Sequence, residues 1–381
     1  MKPFRFSLLF FLVLFKAFSV KAQQNVGNDA LLLDLYQNQR FAEAADFLKK
    51  IYPEPVTDLK TLAKLAYTTR MAGKLPEAEN YYLRILAKDS VNVQVLMSLA
   101  GIQIKRENDS KALVYYEKAI KIDTGNFAVC KQLGKLYLQK PDTINSYKYL
   151  QKANILQPQE ADVAADLSLL LISMKKIESA KVVLKQAIAA DSTNLLLLRC
   201  LAKLNYTNNQ FKETIKTCEQ LKLLGDISAE VVNMMATSYY MLKIYDCAIE
   251  NFSLLQQQSE RTYYLTAMSY KALDKYKLAV DYFDKTLGEA VSPYTNIYYN
   301  EKGGMFEKLN QFSSAAETYQ KGLFFKEKGL IYYTLACLYD RDLKDQKNAA
   351  KYYKKYLLSK PSISQQVYIS FTQNRLKELV K

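Results

Sequence analysis

The residue types of this chain restrict its chemistry. Its 381 residues include no histidine, so no imidazole is available as a general base, a metal ligand or a switch near neutral pH. Ser173 and Lys176 have the spacing of the serine–lysine pair of acylating enzymes, but the companion motifs of those enzymes are missing. No phosphate-binding loop or dinucleotide fingerprint occurs either. We therefore expect a protein that is not an enzyme and that binds no cofactor and no metal.

Positive charge and tyrosine rings remain as binding chemistry. Lysine and arginine number 53 against 38 aspartates and glutamates, which gives a net charge of +15, and there are 30 tyrosines. Six lysines crowd the stretch from residue 344 to residue 360: Lys344, Lys347, Lys351, Lys354, Lys355 and Lys360. A solvated convex face explains them. The alternative is peripheral docking to an anionic surface, either lipid headgroups or an acidic protein.

Small residues recur at a fixed interval and indicate the elements that must position these groups. Seven of them follow one another in steps of 34 residues: Ala44, Ala78, Ala112, Ser146, Ala180, Thr214 and Ala248. The series continues, with looser spacing, at Ala279, Ala315 and Ala349. A second series of small residues, from Ala66 to Ala336, lies about twelve residues before the members of the first series. A large residue follows four positions after each member of the first series. Two helices that each carry a small residue can cross closely, and the large residue fills the adjoining space.

The pattern resembles the tetratricopeptide repeat (TPR), which consists of two antiparallel helices. The best match has these residues: Leu133, Gly134, Tyr137, Ser146, Leu150, Ala153 and Pro158. The leading tryptophan of the family never occurs, and its closing proline survives only at Pro158 and Pro361. The resemblance implies an all-α, right-handed α-solenoid of about ten TPR-like helical hairpins plus a C-terminal capping helix. Where the proline is missing, we expect the hydroxyls of Ser90, Thr124 and Ser192 to cap the next helix.

Two joints depart from the 34-residue register. The step into the eighth hairpin is three residues short, around Gln256 to Thr262, and the step into the ninth is two residues long, around Gly288 to Thr295. We interpret both as local changes of superhelical pitch. A flexible hinge is the alternative, since conformational freedom is usual in loops.

In the family that this chain resembles, the first helix of each hairpin lines a concave surface that binds a peptide or a protein helix. By position, that surface would comprise these residues here: Lys131, Lys135, Arg199, Lys203, Tyr206, Asn233, Tyr240, Arg261 and Tyr264. The resemblance thus implies a scaffold or adaptor that binds a protein segment. We expect this groove to accept an acidic segment or a carboxylate terminus through Arg199, Lys203 and Arg261. The alternative for the same residue set is solvated side chains on basic helices.

A membrane-associated assembly or secretion factor is one functional alternative. A glycan-binding solenoid is another, because tyrosine rings can stack on sugars. Most of the tyrosines fall on the buried series, so core packing accounts for them better. Those off the series, including Tyr206, Tyr240, Tyr264 and Tyr333, are the candidates.

The amino terminus has the pattern of an export signal. Lys2 and Arg5 precede an apolar stretch from Ser7 to Phe15, which is too short to span a bilayer as a helix. Small residues before Gln23 suit cleavage near Ala22. We therefore predict a signal peptide (1–22), a linker (23–28), the repeat array (29–361) and the capping helix (362–381), in a periplasmic or cell-envelope protein. Retention of the apolar stretch as an anchor is the alternative, and export disfavours a nucleic-acid partner.

Overall fold

The computed structural model describes residues 28–289 and 293–379. Within these ranges the chain forms 21 α-helices and no β-strand, with a π-helical turn at Leu338–Asp342 and a 3-10 turn at Ile363–Gln365. The prediction of an all-α solenoid of about ten helical hairpins is confirmed. The signal peptide predicted for residues 1–22 lies outside the described residues. None of the helices in the described ranges has both the length and the apolar character needed to cross a membrane.

The chain divides into two compact units, with the boundary between Leu170 and Leu171. Unit 1 contains the first eight helices: α1 (28–37), α2 (Phe41–Ile51), α3 (Leu59–Met71), α4 (Leu75–Lys88), α5 (Val93–Lys105), α6 (Asp109–Ile122), α7 (Phe127–Gln139) and α8 (Thr143–Leu156). The boundary falls within α9 (Ala161–Ser173).

Unit 2 contains the remaining helices: α10 (Ile177–Ala190), α11 (Leu195–Thr207), α12 (Phe211–Leu223), α13 (Ala229–Met241), α14 (Tyr245–Ser253), α15 (Glu260–Ala272), α16 (Tyr276–Glu289), α17 (Thr295–Lys308), α18 (Phe312–Phe325), α19 (Gly329–Cys337), α20 (Gln346–Leu358) and α21 (Gln366–Leu379). In both units an odd-numbered helix packs on the even-numbered helix that follows it. We call these the first and second helices of a hairpin.

The two series of small residues lie where the helices of a hairpin cross. All ten members of the first series are on second helices and have no exposed surface. In the fourth hairpin the Ser146 hydroxyl donates to the Gly134 carbonyl at 3.0 Å. A Cβ on Gly134 would lie 2.7 Å from the Leu150 side chain, so the crossing leaves no room for one. The spacing in the sequence therefore sets the distance between the two helices.

A left-handed residue ends the first helix of every hairpin. Positive φ angles occur at Gln39, Gly73, Glu107, Pro141, Lys175, Asn209, Lys243, Asp274, Asn310 and Lys344. These positions keep the register of the small residues, including its irregular steps. A left-handed residue stops a helix and lets the chain reverse within a short turn, so each hairpin repeats the same tight connection.

Asparagines, and not hydroxyls, cap the first helices where the closing proline is missing. The side chains of Asn92, Asn126 and Asn194 accept from the backbone N–H three residues on, at 3.1–3.3 Å. The expectation that Ser90, Thr124 and Ser192 would be the caps was wrong by two residues. The aspartate three positions before each asparagine accepts from its amide and orients it, and asparagine is as good a cap as serine.

Candidate functional site

The basic candidates of unit 1 are bound by carboxylates of the next hairpin. Lys131 on α7 lies 2.7 Å from Glu160 and 2.9 Å from Asp162, and Lys135 lies 2.6 Å from Asp162. Burial opposes the charge of Lys131, but its bonds to Glu160 and Asp162 outweigh it and raise the pKa of the ammonium. Burial acts against ionisation of Asp162 as well, yet the bonds from Lys135 and Lys131 lower its pKa to about 2. Both lysines are thus neutralised within the chain.

The basic candidates on α11 of unit 2 have the same arrangement. Arg199 donates from Nε to Asp226 at 2.5 Å, and Lys203 lies 3.5 Å from Glu230. The side chain of Asp226 is only 2% exposed, and the bond from Arg199 lowers its pKa. Asp226 also accepts from the backbone N–H of Ser228 at 3.1 Å, which ties it to the start of α13. Arg199 therefore joins two hairpins.

Three further candidates are dispersed over α11 and α13. Tyr206 packs edge-on against Phe211 with ring centres 6.3 Å apart. Asn233 is exposed on α13. Tyr240 packs edge-on against Tyr245 at 5.9 Å, and burial raises the pKa of its phenol, with smaller contributions from Tyr245 and Glu301.

Arg261 and Tyr264, by contrast, lie in one cavity of about 570 Å³. We call it the tyrosine cavity, and its lining residues are Ser259, Glu260, Arg261, Tyr264, Tyr294, Ile297 and Tyr298. The Arg261 side chain is exposed and forms no ion pair or hydrogen bond within the described ranges. The volume of the tyrosine cavity is within the usual range of small-ligand sites, which are mostly apolar with a few polar groups.

The walls of the tyrosine cavity are fixed by ring packing and by two carboxylates. The rings of Tyr264 and Tyr298 are 5.0 Å apart, and Tyr264 also packs against Phe283 at 6.2 Å. The Tyr298 hydroxyl donates to Glu260. Glu301, one turn along α17, accepts from Lys271 at 2.5 Å. Burial, with the negative charge of Glu301, raises the pKa of Tyr264 to about 12, so its phenol stays neutral at physiological pH.

The start of α15 positions one wall of the cavity. Ser259 accepts from the Thr262 backbone N–H at 3.3 Å, and the Thr262 hydroxyl accepts in return from the Ser259 N–H at 2.8 Å. This reciprocal cap fixes the first turn of α15, from which Arg261 and Tyr264 project. The other wall is the start of α17, with Tyr294, Ile297 and Tyr298.

Five of the seven lining residues were missed in the sequence analysis, although a signal for them exists. Ser259 and Glu260 belong to the short joint, and Tyr294 stands at the end of the long one. Ile297 and Tyr298 follow within one turn of α17. The two departures from the 34-residue register therefore flank the cavity. Irregular spacing alters how neighbouring hairpins approach, and it marked the site better than residue type did.

The chemistry available in the tyrosine cavity is that of binding. It offers tyrosine hydroxyls, apolar ring faces and, at the rim, one guanidinium that has no ion-pair partner among the described residues. Such a set fits a ligand with an apolar side chain and a carboxylate, because burial of apolar surface supplies affinity and a charge-assisted hydrogen bond supplies orientation.

Tetratricopeptide repeat models match three segments of the chain, at residues 64–127, 161–194 and 330–363. Among curated proteins, the chain is 26% identical over 295 residues to the TPR repeat-containing protein MJ1428 of Methanocaldococcus jannaschii, which covers 71% of this chain and 51% of that protein. It is 23% identical over 172 residues to the Protein CTR9 homolog of Arabidopsis thaliana, with coverages of 42% and 15%. The chain thus spans about half of the length of the first relative and less of the second.

A solved structure shows the same fold. The C-terminal part of a TPR repeat-containing protein from Cytophaga hutchinsonii has a TM-score of 0.51 and 15% identity, and the match covers 64% of this chain and 98% of that one. The repeat models thus support tetratricopeptide repeats in the three matched segments, and this neighbour shows the fold. Proteins of this family generally mediate protein–protein interaction and are generally non-enzymatic scaffolds.

Proposed function

We propose that this protein is an interaction scaffold that binds a peptide segment in the tyrosine cavity. One large apolar side chain of the partner enters between Tyr264, Tyr294 and Tyr298, and a carboxylate of the same segment pairs with Arg261. One observation carries the proposal. Of the five basic residues predicted for the concave surface, Arg261 is the one without an ion-pair partner in the described chain, and it stands at the rim of a cavity.

The ion-paired cations suit a partner carboxylate less well. A ligand at Arg199 must displace Asp226, and the buried carboxylate would then lose its charged partner. Leaving a buried charge unpaired is costly. The acidic part of the partner therefore belongs at Arg261, and not along the whole basic surface.

Selection from a random peptide library displayed on phage tests the proposal. We expect the purified protein to enrich sequences that combine a large apolar residue with an acidic residue or a free carboxyl terminus. Arg261→Glu should weaken the selected peptides by about tenfold or more, because a hydrogen bond to a charged group contributes about 1.5–3 kcal/mol. Lys185→Glu, an equal charge change at an exposed position on α10, is the matched control. Peptides that bind Arg261→Glu as tightly as the wild type would show that the site is elsewhere.

The tyrosines of the cavity suit a peptide anchor better than a flat sugar ring. Tyr264 is tilted by 45° to Tyr298, and Tyr240 is covered edge-on by Tyr245. The rings of Tyr264 and Tyr298 are therefore not coplanar and do not form the flat platform on which a sugar ring stacks. Glycan-array binding that disappears in Tyr240→Ala and Tyr264→Ala, with no peptide enrichment, would favour the glycan-binding alternative instead.

We place the scaffold in the cell envelope, on the basis of the export pattern in residues 1–22. Cell fractionation of the native producer, with antibodies against the folded repeats, tests this. We expect the protein in the periplasmic or envelope fraction. A predominantly cytosolic pool would remove the envelope part of the proposal and leave the peptide site untouched.

A further inference from the structure

Large apolar side chains project into solvent at one edge of the last two hairpins. Phe324 at the end of α18 is 87% exposed, Leu358 at the end of α20 is 79% exposed, and Ile363 and Val367 around the start of α21 are 89% and 79% exposed. Isolated exposed apolar residues are common on protein surfaces. Four apolar side chains with this degree of exposure at adjoining helix ends form an apolar patch. Such patches mark sites of interaction with another molecule or with a membrane.

The helix ends that carry these side chains meet in space. Gly329, the first residue of α19, is so close to Ser359, just after α20, that a Cβ on the glycine would overlap the serine side chain. The Tyr356 hydroxyl donates to Gln365 at 2.9 Å, which holds the segment before α21 against α20. The connection from α18 to α19 and the connection from α20 to α21 therefore lie side by side. We call this surface the C-terminal edge.

Further contacts hold the C-terminal edge in place. Phe325 stacks on Tyr299 with ring centres 5.6 Å apart, so its neighbour Phe324 points outward from an anchored helix end. On α21, Tyr368 packs against Tyr333 at 4.8 Å. Farther along α21, Arg375 donates to both oxygens of Asp340 at 2.8 Å. The exposed side chains are thus mounted on fixed helices.

Lysines surround the apolar side chains. Lys326 and Lys328 lie between α18 and α19, and Lys360 follows α20, and all three are exposed and make no ion pair within the described residues. Glu327 is the acidic residue of the same loop, and burial together with Glu327 raises the pKa of the Tyr332 phenol to about 12. Unpaired cations around apolar tips are complementary to a surface that is negatively charged outside and apolar beneath.

We propose that the C-terminal edge binds the surface of an anionic phospholipid bilayer. Phe324, Leu358, Ile363 and Val367 enter the boundary between headgroups and acyl chains, and Lys326, Lys328 and Lys360 contact the lipid phosphates. Apolar insertion and electrostatic attraction together give reversible interfacial binding. A second copy of the chain fits less well, because face-to-face pairing of two such edges would bring six lysines together. The proposal does not depend on the peptide site.

Co-sedimentation of the full chain with lipid vesicles tests the proposal. We expect binding to vesicles of phosphatidylcholine with phosphatidylglycerol, weak binding to pure phosphatidylcholine, and release at high salt, which screens the attraction. The double variant Lys328→Glu with Lys360→Glu should bind at least about tenfold less, since each lysine near an anionic surface contributes about fivefold. Phe324→Ser with Ile363→Ser should lose binding comparably, and both positions are too exposed for the change to disturb the core.

Matched controls separate the C-terminal edge from other basic or apolar surface. Lys181→Glu with Lys185→Glu makes the same charge change on α10, and Ile144→Ser removes an apolar side chain that is 81% exposed at the start of α8. Every variant retains residues 1–22, so any lipid binding by that segment is common to all.

Equal loss of vesicle binding in the controls, or no loss in the edge variants, would overturn the proposal. Light scattering of the wild type and of Phe324→Ser tests self-association. If the wild type is a dimer, Phe324→Ser is a monomer and vesicle binding is unchanged, the C-terminal edge is a self-association surface and the lipid proposal is overturned. Arg261→Glu should leave vesicle binding unchanged, so this proposal and the peptide site fail separately.

Discussion

The surface around Lys131 and Lys135 and the tyrosine cavity look alike in sequence and differ in structure. Both carry basic residues on first helices of hairpins. In the former, Asp162 and Glu160 of the next hairpin neutralise the two lysines. In the latter, Arg261 lies beside three tyrosine rings and has no ion-pair partner within residues 28–289 and 293–379. The difference shows that a basic side chain on a first helix can join two hairpins or can remain without an acidic neighbour in the described chain, as the proposed peptide site requires.

The acidic neighbour decides which purpose a basic residue serves. In the pairs of Lys131, Lys135, Arg199, Lys203 and Lys271, the hydrogen-bonded acid follows the base by 27 to 30 residues. That interval is less than one repeat, so the acid lies on the next first helix or just before its start. These ion pairs hold consecutive hairpins together. If the contrast is correct, variants of the cavity should affect both packing and binding, and variants of the ion pairs should affect stability alone.

The largest expected effect is in the cavity wall. Tyr264→Ala should lower the free energy of unfolding by about 3 kcal/mol, because loss of a packed aromatic ring removes apolar contact and leaves a void. It should also abolish binding of the selected peptides. Urea denaturation followed by far-ultraviolet circular dichroism measures the stability. Tyr264→Phe, which keeps the ring against Phe283 and Tyr298, is the control and should lose less than about 1 kcal/mol. Equal losses in the two variants would show that the hydroxyl matters more than the ring.

A smaller effect is expected at the buried acid of unit 2. Asp226→Ala should destabilise by about 2 kcal/mol, since it removes the partner of Arg199 and an acceptor for the Ser228 N–H. Arg199 itself is 45% exposed and can be rehydrated, which limits the loss. Peptide affinity should stay within about twofold of the wild type, because a destabilisation of this size unfolds only a small fraction of the molecules. A tenfold loss of peptide affinity would show that Arg199 and Asp226 belong to the binding site, and the proposed difference between ion-paired residues and the tyrosine cavity would be wrong.

Asp162 should give a pH-dependent effect of about 1 kcal/mol, reduced by solvent screening because its side chain is 33% exposed. Its pKa is lowered in the folded chain to about 2, so its stabilisation is present above the unfolded value near 3.8 and is lost as the pH falls through the folded value. The difference in urea midpoint between wild type and Asp162→Asn should therefore shrink between about pH 4 and pH 2. A constant difference across that range would show that charge pairing with Lys131 and Lys135 is not what Asp162 contributes.

The smallest expected effect is at Lys203. It lies 3.5 Å from Glu230, and both side chains are well exposed, at 44% and 62%. Lys203→Ala should change the free energy of unfolding by no more than about 0.5 kcal/mol, as is usual for surface ion pairs. Its peptide affinity should equal that of the wild type in the binding assay used for Arg261→Glu. A clear loss of affinity would instead return Lys203 to the partner surface expected from the sequence.

Sequence periodicity by itself determined the hairpins. Ala44, Ala78 and Ala112 are spaced identically because each marks a helix crossing that forms within one repeat, from residues close together in the chain. Local contacts of this kind can be predicted from a single sequence. The helix caps were harder to predict, since a hydroxyl and the asparagine two residues later are both good caps. Only the backbone path shows which of the two side chains accepts the hydrogen bond.

The tertiary structure alone decided which basic residues remain available. Lys131 and Arg261 are both basic residues on first helices. One is neutralised because an aspartate of the next hairpin reaches it, and the other is not, because the joints at Ser259 and Tyr294 change how two hairpins meet and leave a cavity there. Pairing across hairpins depends on distances of a few ångströms between residues about 30 apart, and electrostatic attraction falls off over such distances. The number and register of the hairpins are therefore a property of the sequence pattern, and the binding surface is a property of how the hairpins pack.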